Sequence, residues 1–127
     1  MTSLTKTLLE TGADGRARFR EEELPLDQGS EQVRLSQLFA SGGYQLRRSP
    51  VGFRSQFHCT EHPQWVVVLA GQMEIGLQDG SSRVFRAGEY FYCADTLPPG
   101  VPFDAGLHGH CSGQAGAEPL VTLFVRG

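Results

Sequence analysis

The chain has 127 residues and a mass of 13.9 kDa, which suits one domain that needs no disulfide support. Its 11 lysines and arginines against 14 aspartates and glutamates give a net charge of -3, and no basic run is long enough to bind nucleic acid. No apolar run reaches the length of a membrane span and no secretory leader is apparent, so we expect a cytoplasmic protein with no membrane partner.

Cysteine usage agrees with a reducing compartment. Cys59, Cys93 and Cys111 are odd in number and form no paired motif, so we expect free thiols that act as small apolar side chains.

The first half of the chain carries weak strand signals. Residues 1–15 are predicted to be a flexible arm, because the polar cluster at Thr11 to Gly15 would interrupt any element, and a single domain is predicted at 16–127. Ala17 to Leu24 is predicted as a strand with Phe19 pointing inward. Residues 33–39 fit either an edge strand or one turn of helix, and 44–49 is predicted as a strand that ends before Pro50.

After Gly52 the strand signals become strong. Short apolar segments recur every eight to twelve residues, separated by turns at Gly71, Asp79-Gly80 and Ala87-Gly88. This spacing predicts an all-β barrel or sandwich with little helix. The predicted strands are 54–59, 64–70, 73–78, 82–86, 89–94, 110–116 and 119–126. Residues 97–109 are rich in proline and glycine and are predicted to be a binding loop or lid.

One stretch resembles a known family. Gly52 is followed after five residues by His58, then by Gln64 six positions on and by Gly71 seven positions further. This is similar to the first motif of the cupin superfamily, in which two histidines and a glutamate lie between two glycines. Thr60 stands where the second histidine belongs, and Gln64 stands where the glutamate belongs. His110 takes the place of the histidine of the second motif, with an insertion before it.

The resemblance covers residues 16–127 and is closest to small, single-domain, cupin-like bacterial proteins without a settled activity. It implies a double-stranded β-helix, a barrel of two facing antiparallel sheets with the motif histidines inside. Alternation along 64–70 independently places Gln64, Val66 and Val68 on one face. If Gln64 lines the interior, the cavity is mostly apolar with a few polar groups, as small-molecule sites usually are.

A metal centre is the first use that the resemblance implies for these residues. His58, Gln64 and His110 are the predicted ligands of a divalent ion (Zn, Ni, Fe or Mn), with His62 or His108 as substitutes. His108 and His110 would share a face if that segment were extended. Loss of the carboxylate and of one imidazole predicts weak affinity, and each histidine or Gln64 alone also fits a merely structural role.

Two functions therefore stay open. The first is a small-molecule-binding barrel whose ligand contacts are His58, Gln64, Tyr92, Asp95, Thr96 and His110. The second is a metal-dependent enzyme, of oxygenase or isomerase type, that acts on a small oxygen-rich metabolite. In either case we expect a homodimer, in which the segment 17–38 supplies an edge strand to a twofold partner.

Overall fold

The computed structural model describes residues 2–127, and in this part of the chain it contains strands and no helix. The all-β prediction is confirmed. The strands are β1 (Ser3–Thr11), β2 (Ala17–Pro25), β3 (Gln28–Gly29), β4 (Arg34–Leu35), β5 (Tyr44–Ser49), β6 (Gln64–Ala70), β7 (Gln72–Gly76), β8 (Ser82–Arg86), β9 (Tyr90–Ala94), β10 (Cys111–Ala115) and β11 (Leu120–Arg126). The described residues form no helix that is long and apolar enough to cross a bilayer.

Two sheets enclose the interior. The larger has the order β2-β1-β9-β6-β11-β5, and the smaller has the order β10-β7-β8. Isolated bridges from Arg54 to Gly113 and from His58 to His110 extend the smaller sheet beyond β10. This is the predicted double-stranded β-helix, except that the segment 54–59 makes only these bridges and that β1 runs parallel to β9.

Alternation along the strands builds the core. In β6, Val66 and Val68 are buried, whereas Leu69 on the opposite face is half exposed, as the period of two predicts. Phe91 of β9 lies against Phe85 of β8, with ring centroids 4.6 Å apart. Residues from both sheets therefore form one apolar cluster.

The predicted flexible arm is wrong. Ser3–Thr11 pairs along its whole length with β2 and also lies beside β9, and Leu9 is fully buried. The polar cluster that follows is the turn of this hairpin, closed by the amide of Gly12, which donates to the carbonyl of Arg16 at 2.8 Å. Met1 lies outside the described residues. The prediction failed because it treated the polar cluster as the end of structure and not as a turn between two strands.

The other weak segments have mixed outcomes. Strands are confirmed at Ala17–Pro25 and at Tyr44–Ser49, with Phe19 packed against the core. The segment 33–39 contributes only the two-residue strand Arg34–Leu35, paired with Gln28–Gly29. Residues 97–109 contain no strand, and hydrogen bonds from the amide of Gln78 to the carbonyls of Ala105 and His108 hold this loop on the smaller sheet.

Candidate functional site

A cavity of about 250 Å³ lies between the sheets and opens at one end of the barrel. Its wall is apolar and belongs to the core, with Val66, Met73, Ile75 and Phe91 among its side chains. Its polar side chains come from loops, from strand ends and from within β5 and β10, and they outnumber the apolar ones, so the prediction of a mostly apolar cavity is wrong. They include Gln45, Arg47, His58, Thr60, Glu61, His62, Gln64, His110, Ser112 and Arg126.

His58 and His110 meet across a backbone bridge. The amide of each donates to the carbonyl of the other, at 2.9 and 3.0 Å, and the two ring centroids are 4.8 Å apart. Gly109 makes this approach possible. It has φ of 86°, and a Cβ placed there would lie 2.6 Å from the carbonyl oxygen of His58, so any other residue would push the two segments apart.

A buried carboxylate fixes the ring of His110. Nδ1 of His110 donates to Oδ2 of Asp95 at 2.7 Å, and the Thr11 hydroxyl donates to Oδ1 of the same carboxylate at 2.9 Å. Asp95 is 0% exposed and His110 is 4% exposed. Burial alone would lower the pKa of His110, but the bond to Asp95, helped by the nearby Cys93, raises the pKa to about 9. His110 is therefore mostly an imidazolium at neutral pH.

His58 is held differently. Its Nδ1 donates to the carbonyl of Gln56 at 2.9 Å, and its Nε2 forms no hydrogen bond within residues 2–127. The side-chain amide of Gln64 forms no hydrogen bond within residues 2–127, although it lines the cavity. These two groups are therefore available to a ligand.

Thr60, which occupies the place of the second motif histidine, is engaged elsewhere. Its hydroxyl lies 3.0 Å from the sulfur of Cys93, which is buried in the wall of the cavity. Burial, with smaller contributions from Asp95 and Cys93, raises the pKa of the Cys59 thiol. All three cysteines are free, and nothing in this arrangement activates one of them.

The structure brings some predicted site residues together and separates others. His58, Gln64 and His110 line one cavity, but His58, like His62, is exposed at its mouth. Of the two motif histidines only His110 lies inside the barrel, as the resemblance implied. Asp95 lies behind His110 and does not line the cavity. Thr96 lines a shallower groove beside it, formed with residues of the loop 97–109.

The predicted positions of Tyr92 and His108 at the site are wrong. Because Phe91 and Cys93 point inward, Tyr92 points outward, where its hydroxyl donates to the carbonyl of Gly127 at 2.6 Å. His108 is buried away from the cavity, and its Nδ1 accepts the amide of Asp104 at 3.0 Å. The positive φ of Gly109 breaks the alternation that would have put His108 on the face of His110.

Sequence reasoning missed two arginines. Arg47 on β5 and Arg126 at the end of β11 both line the cavity. Strand alternation could have placed both arginines on the cavity side, because Arg47 shares a face with Gln45, and Arg126 shares a face with Phe124.

The donor set does not fit a resident divalent ion. Within the described chain no three His, Cys, Asp or Glu side chains converge on one point. Only two imidazoles are brought together, and the raised pKa of His110 means that a metal would have to displace a proton from it. The predicted Zn, Ni, Fe or Mn centre would rest on His58 and the amide oxygen of Gln64, a poor pair for any of these metals.

Comparisons with known proteins give only distant structural likenesses. No family model and no curated protein matches the sequence. Among solved structures, the cupin domain of Schizosaccharomyces pombe Cnp3 is 13% identical, with 98% of this chain and 86% of that chain covered and a TM-score of 0.46. A Salmonella typhimurium LT2 protein provisionally named ethanolamine utilization protein Q is 14% identical, with 99% and 97% covered and a TM-score of 0.42.

A third structure, a Ralstonia eutropha JMP134 protein provisionally named a mannose-6-phosphate isomerase, is 19% identical, with 98% and 83% covered and a TM-score of 0.37. Likenesses this distant say nothing about ligand or activity. The barrel of two facing sheets is the cupin-like fold that the motif spacing predicted.

Proposed function

We propose that the barrel binds a small organic molecule in its cavity. The observation that carries this proposal is the single cavity in which His58, Gln64 and His110 meet an apolar wall. Small-molecule sites typically combine such a wall with a few placed polar groups. The side-chain amide of Gln64 offers one donor and one acceptor to a hydroxyl or carbonyl of the ligand, and Nε2 of His58 offers a further polar contact.

Asp95 acts in this proposal through His110 and does not touch the ligand. Its carboxylate fixes the orientation of the ring, so the imidazolium presents its remaining N–H from a constant position. Thr11 in turn fixes the carboxylate. A site held in place before binding loses less conformational entropy when the ligand enters.

Binding is tested by two-dimensional amide NMR of the protein, titrated with a panel of neutral probes (glycerol, glucose) and anionic probes (malonate, succinate, inorganic phosphate). We expect at least one probe to shift the amides of His58, Gln64 and His110, and Gln64→Ala to weaken that response. The matched control is Gln37→Ala, because Gln37 is exposed and does not line the cavity. If no probe in the panel moves the cavity amides, the proposal fails.

The alternative, a metal-dependent enzyme on an oxygen-rich metabolite, needs a third strong donor at this site. Elemental analysis of protein purified without a metal-affinity tag separates the two functions. We expect no stoichiometric divalent metal. One equivalent of metal that is lost in His58→Ala would favour the enzyme.

We also propose that the chain forms a homodimer, in which the segment 17–38 supplies an edge strand to the twofold partner. β2 is the edge strand of the larger sheet and has a partner on one side only. Light scattering at micromolar concentration should give twice the mass of the chain, and a monomeric mass would contradict this part of the proposal.

A further inference from the structure

Two guanidinium groups lie at the mouth of the cavity. Arg47 and Arg126 both line it, and within residues 2–127 neither forms an ion pair or a side-chain hydrogen bond. Four other arginines form ion pairs with carboxylates. Arg18 and Arg20 pair with Glu10, Arg54 pairs with Glu74, and Arg83 pairs with Glu21. The mouth therefore holds two charges that no carboxylate of the described chain balances by contact.

Arg47 is also held in position. Its guanidinium carbon lies 4.6 Å from the centroid of the Phe124 ring, which itself lines the cavity. A guanidinium that stacks on an aromatic face keeps its N–H groups free at its edge. Those donors suit the two oxygens of a carboxylate or phosphate group.

The other charges around the cavity favour an anion. The only carboxylate among the described residues that line it belongs to Glu61, which is exposed at the mouth. Asp95 carries a second carboxylate, but it is fully buried and both its oxygens already accept hydrogen bonds. Because Asp95 pairs with His110, these two groups together add no net charge. Among the described lining residues Arg47 and Arg126 are opposed only by Glu61, so the cavity surface carries a net positive charge in a chain whose net charge is -3.

We propose that the ligand carries a carboxylate or phosphate group, which Arg47 and Arg126 bind at the mouth while His58 and Gln64 contact its uncharged polar part. This inference rests on the proposed function and names the chemical class of the ligand. The cavity, at about 250 Å³, limits the ligand to a small metabolite.

The test compares Arg47→Gln and Arg126→Gln with Arg48→Gln. Arg48 is the next residue on β5, is exposed and points to the other face, so it has the same charge without lining the cavity. Binding of malonate, succinate and inorganic phosphate is measured by NMR titration at low salt. We expect each cavity variant to weaken binding of the preferred anion about fivefold, and Arg48→Gln to change it by less than about twofold.

The panel separates the two sources of the anionic group. A preference for malonate and succinate identifies a carboxylate ligand, and a preference for phosphate identifies a phosphorylated one. Because the guanidinium groups are exposed, raising the salt from about 0.02 M to about 0.3 M should weaken binding further. Arg47→Lys is a second variant that keeps the charge and loses the planar donor pair, and it should bind less well than the wild type.

Several results would overturn this inference. If glycerol or glucose shifts the cavity amides as strongly as the anions do, the ligand class is wrong although binding in the cavity stands. If Arg48→Gln weakens anion binding as much as Arg47→Gln, the attraction is a general surface effect and the mouth has no special role. If no probe moves the cavity amides, both this inference and the proposed function fail.

Discussion

The apolar wall of the cavity and its polar end are built in different ways. The wall comes from alternate residues of regular strands, such as Val66 in β6 and Phe91 in β9, and its order follows from the period of the strand. The polar end is assembled by long-range bonds between irregular segments. His58 meets His110 through isolated bridges, and Asp95 is held from β1 by Thr11. Regular strand pairing thus forms the apolar wall, and contacts between residues distant in sequence position the polar side chains.

Phe91→Ala is the sharpest test of the wall. Phe91 is 1% exposed and packs on Phe85, so its removal leaves a void that the strands cannot close. We expect a loss of about 3 to 5 kcal/mol in the free energy of unfolding, measured with urea. Phe103→Ala, at a half-exposed loop position, should lose far less. Equal losses in the two variants would show that the wall is not the stable part of the molecule.

Asp95→Asn tests the polar end. The substitution keeps the shape but removes the charge that His110 and Thr11 both contact. We expect a loss of about 2 to 3 kcal/mol by urea unfolding, because a buried charged hydrogen bond is lost. Asp27→Asn, at an exposed position, is the control and should leave stability unchanged. A neutral result for Asp95→Asn would mean that the network does not hold the polar end together.

Between pH 7 and pH 9 the pH dependence of stability should come mainly from the polar end. The pKa of His110 is raised from 6.5 to about 9 on folding, so its contribution is complete below pH 6.5 and is lost as the pH rises to about 9. We expect the free energy of unfolding to fall by about 2 kcal/mol between pH 7 and pH 9. His110→Gln should flatten this slope. If the slope persists in His110→Gln, it comes from another titratable group.

Thr11→Val should have the smallest effect on stability, and it tests the bond that links β1 to the polar end. It removes the hydroxyl that donates to Asp95 while keeping a β-branched side chain in β1. We expect a loss of about 1 kcal/mol and a shift of the His110 ring signals in NMR. Thr5→Val, on the same strand and exposed, is the matched control. If the His110 signals do not move, Thr11 plays no part in orienting the ring.

The sequence predicted the wall better than the polar end, for a physical reason. Alternation in 64–70 is local, so Val66 and Val68 could be assigned to the interior from neighbours alone. The positions of Tyr92 and His108 depended on features that a short window does not contain. Tyr92 was assigned without knowing which face of β9 is buried, and His108 was assigned as if Gly109 were extended. The spacing of His58 and Gln64 correctly brought them to one cavity, whereas the support from Thr11 lies 84 residues from Asp95 and has no local signal.

The parallel pairing of β1 with β9 also bears on how the chain folds. Ser3–Thr11 is synthesised long before β9. It can form a hairpin with β2 at once, but its other edge has no partner until Tyr90–Ala94 has been made. Contacts so distant in sequence form slowly, and an open strand edge is where chains pair with the wrong neighbour. The nascent chain therefore carries an unpaired strand edge until β9 has been made, and conditions that slow elongation should favour aggregation through this strand.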